Sequence, residues 1–331
     1  MSTTRKTFIK ESMIYVVGSS LNFHTAHLFG QTNSLFSNVA GPEIDAFKKA
    51  QQRLLHKYNV QAKSRYVKLT KPKLRAHVLE VGKGAPVVML HGGGAFACQF
   101  APLMSALQKD FHLFVPDRPG CGLSDMINYS GVPFRQHAVD FVAGIIDNLK
   151  LNKVALIGNS MGGYWALLYA LAYPERVTKL ILIGEPAGSS PPGMQPPAPP
   201  ADKNPSMEAI RGFYKYMLVA NFEHIPKEIL EAELAAAKIP GASVAWNTMI
   251  EQFTRNKDLG TYTLRTELKN LLPQTLFIWG AQDKFGQPKL GQEMAAIMPH
   301  ATLVAVPDAG HLLWFDQPER CAQLTLDFLK S

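Results

Sequence analysis

Cysteine is scarce in this chain: Cys98, Cys121 and Cys321 stand far apart among 331 residues. Three widely spaced cysteines supply neither a disulfide framework nor a zinc-ligand pattern, and they fit buried thiols in a reducing, cytoplasmic setting. Long apolar runs are also missing, since no stretch reaches the ~18 uninterrupted apolar residues of a membrane span. The opening MSTTRKTFIKESMIYVVGSSLNFHTAHLFG starts basic, but Lys10 and Glu11 interrupt it. No small-residue cleavage site follows a compact apolar run, so it does not read as a signal peptide. Charged residues are only 18% against 47% hydrophobic, which excludes a disordered chain and provides for a large core.

Acidic residues are rare at one end. Residues 1–75 hold 13 Lys and Arg against 3 Asp and Glu, a surplus that exceeds the whole chain's net charge of +8. The basic character therefore belongs to the N-terminal extension. Such a segment could touch an anionic membrane, but solvated lysines are the simpler reading, and nothing else in the chain points to nucleic acid. Within it, EIDAFKKAQQRLLHKYNV sets Ile44, Phe47, Leu54 and Leu55 at helical spacing, which predicts a helix packed on the main body.

From Arg65 onward strands and helices alternate. RYVKL and LRAHVLEVG read as paired strands, followed by strands at 85–90, 111–117, 153–158 and 179–184, with helices near 99–109, 133–149 and 160–173. Short β-branched runs between amphipathic helices predict a parallel sheet covered on both faces. The proline-rich SSPPGMQPPAPPADKNP then breaks the pattern and leads into helical stretches near 206–220, 226–238, 242–256 and 261–270. Strands return at 274–280 and 301–307, with helices near 287–298 and 317–330. The expected organisation is an extension over 1–64, a first core segment over 65–185, a helical cap over 186–270 and a second core segment over 271–331. No internal repeat is visible, and the oligomeric state is left open.

One junction carries chemistry. VALIGNSMGGYWALL passes from strand to helix through Gly158-Asn-Ser-Met-Gly-Gly. A serine between small residues at such a junction sits in a strained turn that lifts its hydroxyl above the sheet edge, at the end of a helix that favours negative charge. Taken alone the pattern also suits an ordinary turn. A hydroxyl is a weak nucleophile, however, and needs a base and a third group to hold that base. Asp283 lies three residues past Gly280, and His311 lies in the loop after LVAVP, so Ser160, Asp283 and His311 each stand just beyond the end of a predicted strand. The loop His91-Gly92-Gly93-Gly94 lets backbone N–H groups approach a ligand, and the oxyanion donors are assigned to the N–H of Gly93 and of Met161. His91 reads as a structural brace. His24 and His27 have helix-face spacing but no further partner, so no metal site is assigned.

HGGG, DRPGCGLSD, GNSMGG, WGAQD and DAGH occur in this order over about four fifths of the chain. As a set they resemble the α/β-hydrolase superfamily. The resemblance implies a mostly parallel eight-stranded sheet with helices on both faces and a helical cap inserted after the sixth strand. It implies no metal or organic cofactor. Some relatives place the triad acid at the end of the sixth strand, where this chain has Glu185, which is kept as a backup acid or pocket residue. Epoxide hydrolases and haloalkane dehalogenases share the sheet and cap but carry aspartate where this chain has Ser160.

GNSMGG with three loop glycines is also similar to hydrolases that cleave carbon–carbon bonds in aromatic ring-fission products. Two features depart from them: Gly120-Cys-Gly-Leu-Ser-Asp125 replaces a polar segment, and Leu312 replaces a tryptophan after the histidine. The arginine that dicarboxylates would call for has only Arg211 as a candidate. The expected activity is therefore hydrolysis of a small, mostly uncharged carboxylic ester or lactone through an acyl-enzyme. Alternatives on the same fold are carbon–carbon hydrolysis, acyl transfer and slow-turnover small-molecule reception. Gly94, Phe213, Met217, Trp246 and Trp314 are the candidate pocket walls, and a small-molecule substrate is the expected partner.

Overall fold

The computed structural model describes residues 34–36, 40–188, 205–254 and 263–331. His24, His27, most of the basic extension and most of the proline-rich stretch lie outside these residues.

Apolar runs without a polar break become buried strands, and runs that alternate become strands with one wet face. The strands are β1 (Ser34–Phe36), β2 (Lys63–Thr70), β3 (Lys73–Gly82), β4 (Ala85–Leu90), β5 (Phe111–Pro116), β6 (Met126–Ile127), β7 (Val154–Asn159), β8 (Val177–Ile183), β9 (Gln274–Gly280) and β10 (Ala301–Val306). Eight of them form one sheet in the order β10-β9-β8-β7-β4-β5-β3-β2. β3 is antiparallel to both β2 and β5, and the remaining pairs are parallel. β7 at the centre is buried at every position, while β2 alternates from exposed to buried near its end. β1 pairs with β6 as a separate two-stranded ribbon that the sequence did not suggest.

The helices are α1 (Pro42–Lys57), α2 (Ala101–Leu107), α3 (Phe134–Asn148), α4 (Met161–Ala172), α5 (Met207–Phe213), α6 (Lys227–Ala237), α7 (Ala242–Thr254), α8 (Pro288–Ala295), α9 (Leu313–Asp316) and α10 (Pro318–Lys330). α4 follows β7 and has no polar face: Tyr164 through Ala170 are all buried. A helix apolar all round belongs inside, and α4 packs between α3 and the sheet. α5, α6 and α7 fall between β8 and β9, the sixth and seventh strands of the sheet.

Parallel pairing turns the C-terminal ends of β4, β7, β8, β9 and β10 to one edge of the sheet. The residues that follow these strands therefore meet there. Two features fix the cap helices over that edge. α1 buries Ile44, Phe47 and Leu54, sets the Phe47 ring 5.2 Å from that of Phe96, and donates twice from Arg53 to Glu231 Oε2 on α6 at 3.1 and 2.9 Å. The buried carboxylate of Asp316 accepts from the N–H groups of Ala220 (2.8 Å), Asn221 (3.0 Å) and Gly310 (2.8 Å), tying the segment after α5 to the loop that carries His311.

Three expectations need correction. The helix expected over 206–220 ends at Phe213 and continues as a π-helical turn, Tyr214–Leu218. The helix expected over 261–270 is, among the described residues, a turn followed by a 3-10 turn at Leu268–Asn270, held against the core by the bond from the Leu264 N–H to the Ala187 carbonyl. Cys98 and Cys321 are buried thiols as expected, but Cys121 is partly exposed.

Candidate functional site

Ser160 joins β7 to α4 with φ 49° and ψ −125°, a backbone conformation that costs a non-glycine residue on the order of 1–3 kcal/mol. Its own N–H bonds to the Ile183 carbonyl at 2.9 Å, so the end of β8 holds the turn in place. The turn is tight enough to demand glycine nearby. A Cβ on Gly162 would collide with the carbonyl oxygens of Leu90 and His91, and one on Gly163 would stand 2.8 Å from Glu185 Cβ. The small residues around the serine thus answer to steric need.

His311 and Asp283 meet at the same edge. His311 Nδ1 and Asp283 Oδ2 are 2.7 Å apart, and both residues are buried. The other carboxylate oxygen of Asp283 accepts from the Phe285 N–H at 2.8 Å, and the Phe285 ring centroid lies 4.5 Å from that of His311. The carboxylate is thereby fixed in orientation and the imidazole is held from two sides. Gly184, one residue beyond the carbonyl that binds the Ser160 N–H, abuts this pair. A Cβ there would be 3.0 Å from His311 Nδ1 and 3.1 Å from Asp283 Oδ2. Ser160, Asp283 and His311 accordingly gather around the end of β8.

Glu185 is not part of that pair. It is buried, its Oε1 accepts from the Gly188 N–H at 2.9 Å, and its stem packs under Gly163. Burial pushes its carboxyl up to about 8, against the pull of hydrogen bonds from Gly188 and Ala187. An ordinary glutamate ionises near 4.3. Folding therefore takes up a proton between roughly pH 4 and 8, and stability falls as the pH climbs through that window. Glu185→Gln is expected to remove most of this fall. Urea unfolding at pH 5 and pH 8.5 should show the variant gaining on wild type by on the order of 3 kcal/mol at the higher pH; parallel curves would contradict the assignment.

The glycine loop after β4 is braced from below. His91 is fully buried; its Nδ1 lies 2.9 Å from the Gly92 carbonyl, and its Nε2 accepts from the Arg118 N–H at 2.9 Å. Burial, reinforced by the Arg118 charge, pushes it down to about 3, so the ring is neutral and the Gly92 contact assigns its proton to Nδ1. Arg118, also fully buried, donates from Nε to the His91 carbonyl (2.9 Å) and from Nη2 to the Gly92 carbonyl (2.6 Å), over the face of Trp165. Asp117 beside it accepts from Ala97 N–H, Leu123 N–H and His77 Nδ1. Burial alone would raise that carboxyl, but the hydrogen bonds it accepts, led by that of His77 and joined by that of Ala97, help to hold it below the usual range. The DRPGCGLSD segment thus fixes the loop, a role that no spacing in the sequence announces. Met161 opens α4, so its N–H has no carbonyl one turn earlier to bind.

The cap closes over this loop through Trp246 on α7. Its ring lies 3.1 Å from where a Cβ on Gly93 would stand and 2.9 Å from one on Gly94, whose φ is 68°. Phe213 and Met217 are part-buried on the cap. Trp314 is sealed instead: it is 1% exposed, donates to the Gln99 carbonyl at 2.9 Å and packs against Phe100. Arg211 is exposed and lies over the Phe222 ring. Among the described residues, no three His, Cys, Asp or Glu side chains are grouped to hold a metal ion. Sequence reading passed over Gln99 and Glu233, which the Tyr214 hydroxyl links, and took Arg118 only as part of a motif.

A mostly parallel eight-stranded sheet with a serine turn after a central strand and helices inserted before the last two strands is the α/β-hydrolase fold. The alpha/beta hydrolase family matches residues 87–324, and the chain belongs to it. It is 29% identical over 282 residues to a 2-hydroxy-6-oxo-6-phenylhexa-2,4-dienoate hydrolase of Burkholderia cepacia, covering 78% of this chain and 92% of that one. It is 30% identical over 289 residues to a 2-hydroxy-6-oxononadienedioate/2-hydroxy-6-oxononatrienedioate hydrolase of Dechloromonas aromatica, covering 81% and 96%. A carboxylesterase structure from Bacillus subtilis superposes with a TM-score of 0.70 at 20% identity, over 87% of this chain and 99% of that one, a likeness of fold.

Proposed function

We propose that the chain is a serine hydrolase that cleaves a small carboxylic ester or lactone through an acyl-enzyme. The observation that carries this reading is a serine in a strained, left-handed turn beside a buried, hydrogen-bonded histidine–aspartate pair. Ser160 Oγ attacks the acyl carbon, and its proton passes to His311. The N–H groups of Gly93 and Met161 receive the developing oxyanion, each such donor being worth about 3–4 kcal/mol of barrier. His311 then gives the proton to the leaving alkoxide, and water repeats the cycle with the acyl-enzyme. Asp283 keeps the Nδ1 proton in place, so that Nε2 is free to accept. Two buried free thiols support a reducing, cytoplasmic location.

The names of the curated relatives favour a second reading, carbon–carbon hydrolysis of aromatic ring-fission products. The ester reading has support from the arginines: Arg118 is committed to loop carbonyls, and Arg211 lies on an exposed face, so neither is placed to take a substrate carboxylate. Steady-state hydrolysis of p-nitrophenyl esters from acetate to decanoate, run beside 2-hydroxy-6-oxo-6-phenylhexa-2,4-dienoate, separates the two. Multiple turnovers on a medium-chain ester are expected, with the chain-length optimum reporting the pocket's reach. Turnover of the dienoate alone would establish the second reading.

A further inference from the structure

A row of hydrogen bonds crosses from the sheet to the cap and takes no part in the reaction as proposed. Trp314, three residues after His311, donates to the Gln99 carbonyl. The Gln99 side-chain amide donates to the Tyr214 hydroxyl at 3.2 Å, and that hydroxyl donates to Glu233 Oε2 at 3.0 Å. The row starts behind the glycine loop and ends at a carboxylate on α6. The two other acids on this helix turn toward α1, where Glu231 meets Arg53 and Glu228 meets Lys57. Glu233 faces the other way. Through the Tyr214 hydroxyl it reaches Gln99, which lies in the turn Ala97–Phe100 that follows the glycine loop. The carboxylate therefore stands on the side of the cap that meets the sheet, two hydrogen bonds from the turn that follows the loop with the proposed oxyanion donor. Glu233 is part-buried as a residue, and no cation pairs with it among the described residues.

A carboxylate so placed can accept a charge-assisted hydrogen bond from a donor that enters the seam. A second carboxylate brought beside it would meet a like charge in a partly desolvated site, an arrangement that forces one of the two to take up a proton. On the acyl-enzyme reading above, we propose that Glu233 determines substrate class: it receives a hydroxyl or ammonium group that the substrate carries away from its reacting carbonyl, and it turns away substrates with a carboxylate there. Burial pushes its carboxyl up to about 7, while the Tyr214 hydrogen bond pulls the other way. Below that value the group is a neutral acid, and above it a carboxylate, so preference for a cation grows as the pH rises. The titratable groups facing it do not change over the same range: burial drives Tyr214 and Cys98 well up, and Cys121 to about 11.

The test uses three p-nitrophenyl esters of equal acyl length: hexanoate, 6-aminohexanoate and the adipate half-ester. Wild type at pH 8 should favour the amino over the carboxy ester by about a hundredfold in kcat/KM, and the preference should shrink toward pH 6. Glu233→Gln, which can still accept from Tyr214, should lower that preference at least tenfold, make it independent of pH and leave the hexanoate rate within about threefold. A preference equal in wild type and Glu233→Gln would overturn the proposal, as would one that ignores pH. Calorimetric binding of hexylammonium and hexanoate to Ser160→Ala, with and without Glu233→Gln, reads the same carboxylate without turnover. The ammonium preference must again fall at least tenfold, and an unchanged ratio or no binding of either probe rejects the role of Glu233. Failure of all three esters to turn over, with a binding preference that depends on Glu233, would sink the acyl-enzyme reading alone.

Discussion

Ser160→Ala is expected to lower ester turnover by roughly 10⁴ to 10⁶, with KM and fold little changed. The size follows from the site's division of labour. On the proposed acyl-enzyme route, loss of the hydroxyl leaves only the pull of the assigned loop and helix N–H groups on a carbonyl attacked by water, typically worth 10³ to 10⁴ over the uncatalysed rate. The fold should survive because the residue's structural duties belong to its backbone. Its N–H bonds to the Ile183 carbonyl, and its carbonyl accepts from the Tyr164 N–H, and both bonds persist in alanine. The strain persists as well, since alanine at φ 49° is no better placed than serine. Ser160→Gly should therefore be more stable than Ser160→Ala by about 1 kcal/mol, although equally inactive. Initial rates and thermal unfolding of the two variants check both parts. An alanine variant that keeps a tenth of wild-type turnover would remove Ser160 from the chemistry.

The parts of this arrangement that were legible in the sequence are those that short-range rules govern. β4 and β9 begin and end at the residues read from the chain, because uninterrupted apolar runs bounded by glycine and proline have few alternatives to a buried strand. Ser160, Asp283 and His311 could be singled out because each follows a strand, and parallel strands deliver their ends to one edge. Residues that act across long separations left no such mark. Leu264, Leu268 and Leu271 are all buried at spacing that suits a helix, yet the Leu264 N–H is taken by Ala187, and the segment folds as turns against the core. Nothing local separates that case from α6, whose Ile229, Leu230 and Ala236 follow a similar rhythm. Arg118 read as part of a motif and turned out to be a buried cation whose donors hold two loop carbonyls. Gln99, Tyr214 and Glu233 are separated by more than a hundred residues at the first step, and only the seating of the cap on the sheet brings them together.

Asp283→Asn is expected to cost on the order of 10⁴ in kcat, a loss second only to that of the nucleophile. The reason lies in which atom faces which. Asp283 Oδ1 accepts from the Phe285 N–H, so an asparagine placed there keeps its oxygen toward Phe285 and turns its NH2 toward His311 Nδ1. Two donors cannot share that contact, and His311 must move its proton to Nε2 so that Nδ1 can accept. On the proposed mechanism, the nitrogen that takes the Ser160 proton then already carries one. Because the change acts only through the tautomer, KM should stay close to wild type, and adding Asp283→Asn to Ser160→Ala should cost little more than Ser160→Ala alone, as expected of residues that act as a unit. Glu185→Gln provides the control. Its carboxyl is engaged by Gly188 and Ala187 and is raised by burial into the neutral form, so the substitution should change kcat less than tenfold while altering the pH dependence of stability. Steady-state kinetics of the two variants decides between the carboxyls. A small loss from Asp283→Asn with a large one from Glu185→Gln would transfer the orienting role to the end of β8, and the 2.7 Å contact between Asp283 and His311 would then be a packing contact with no part in turnover.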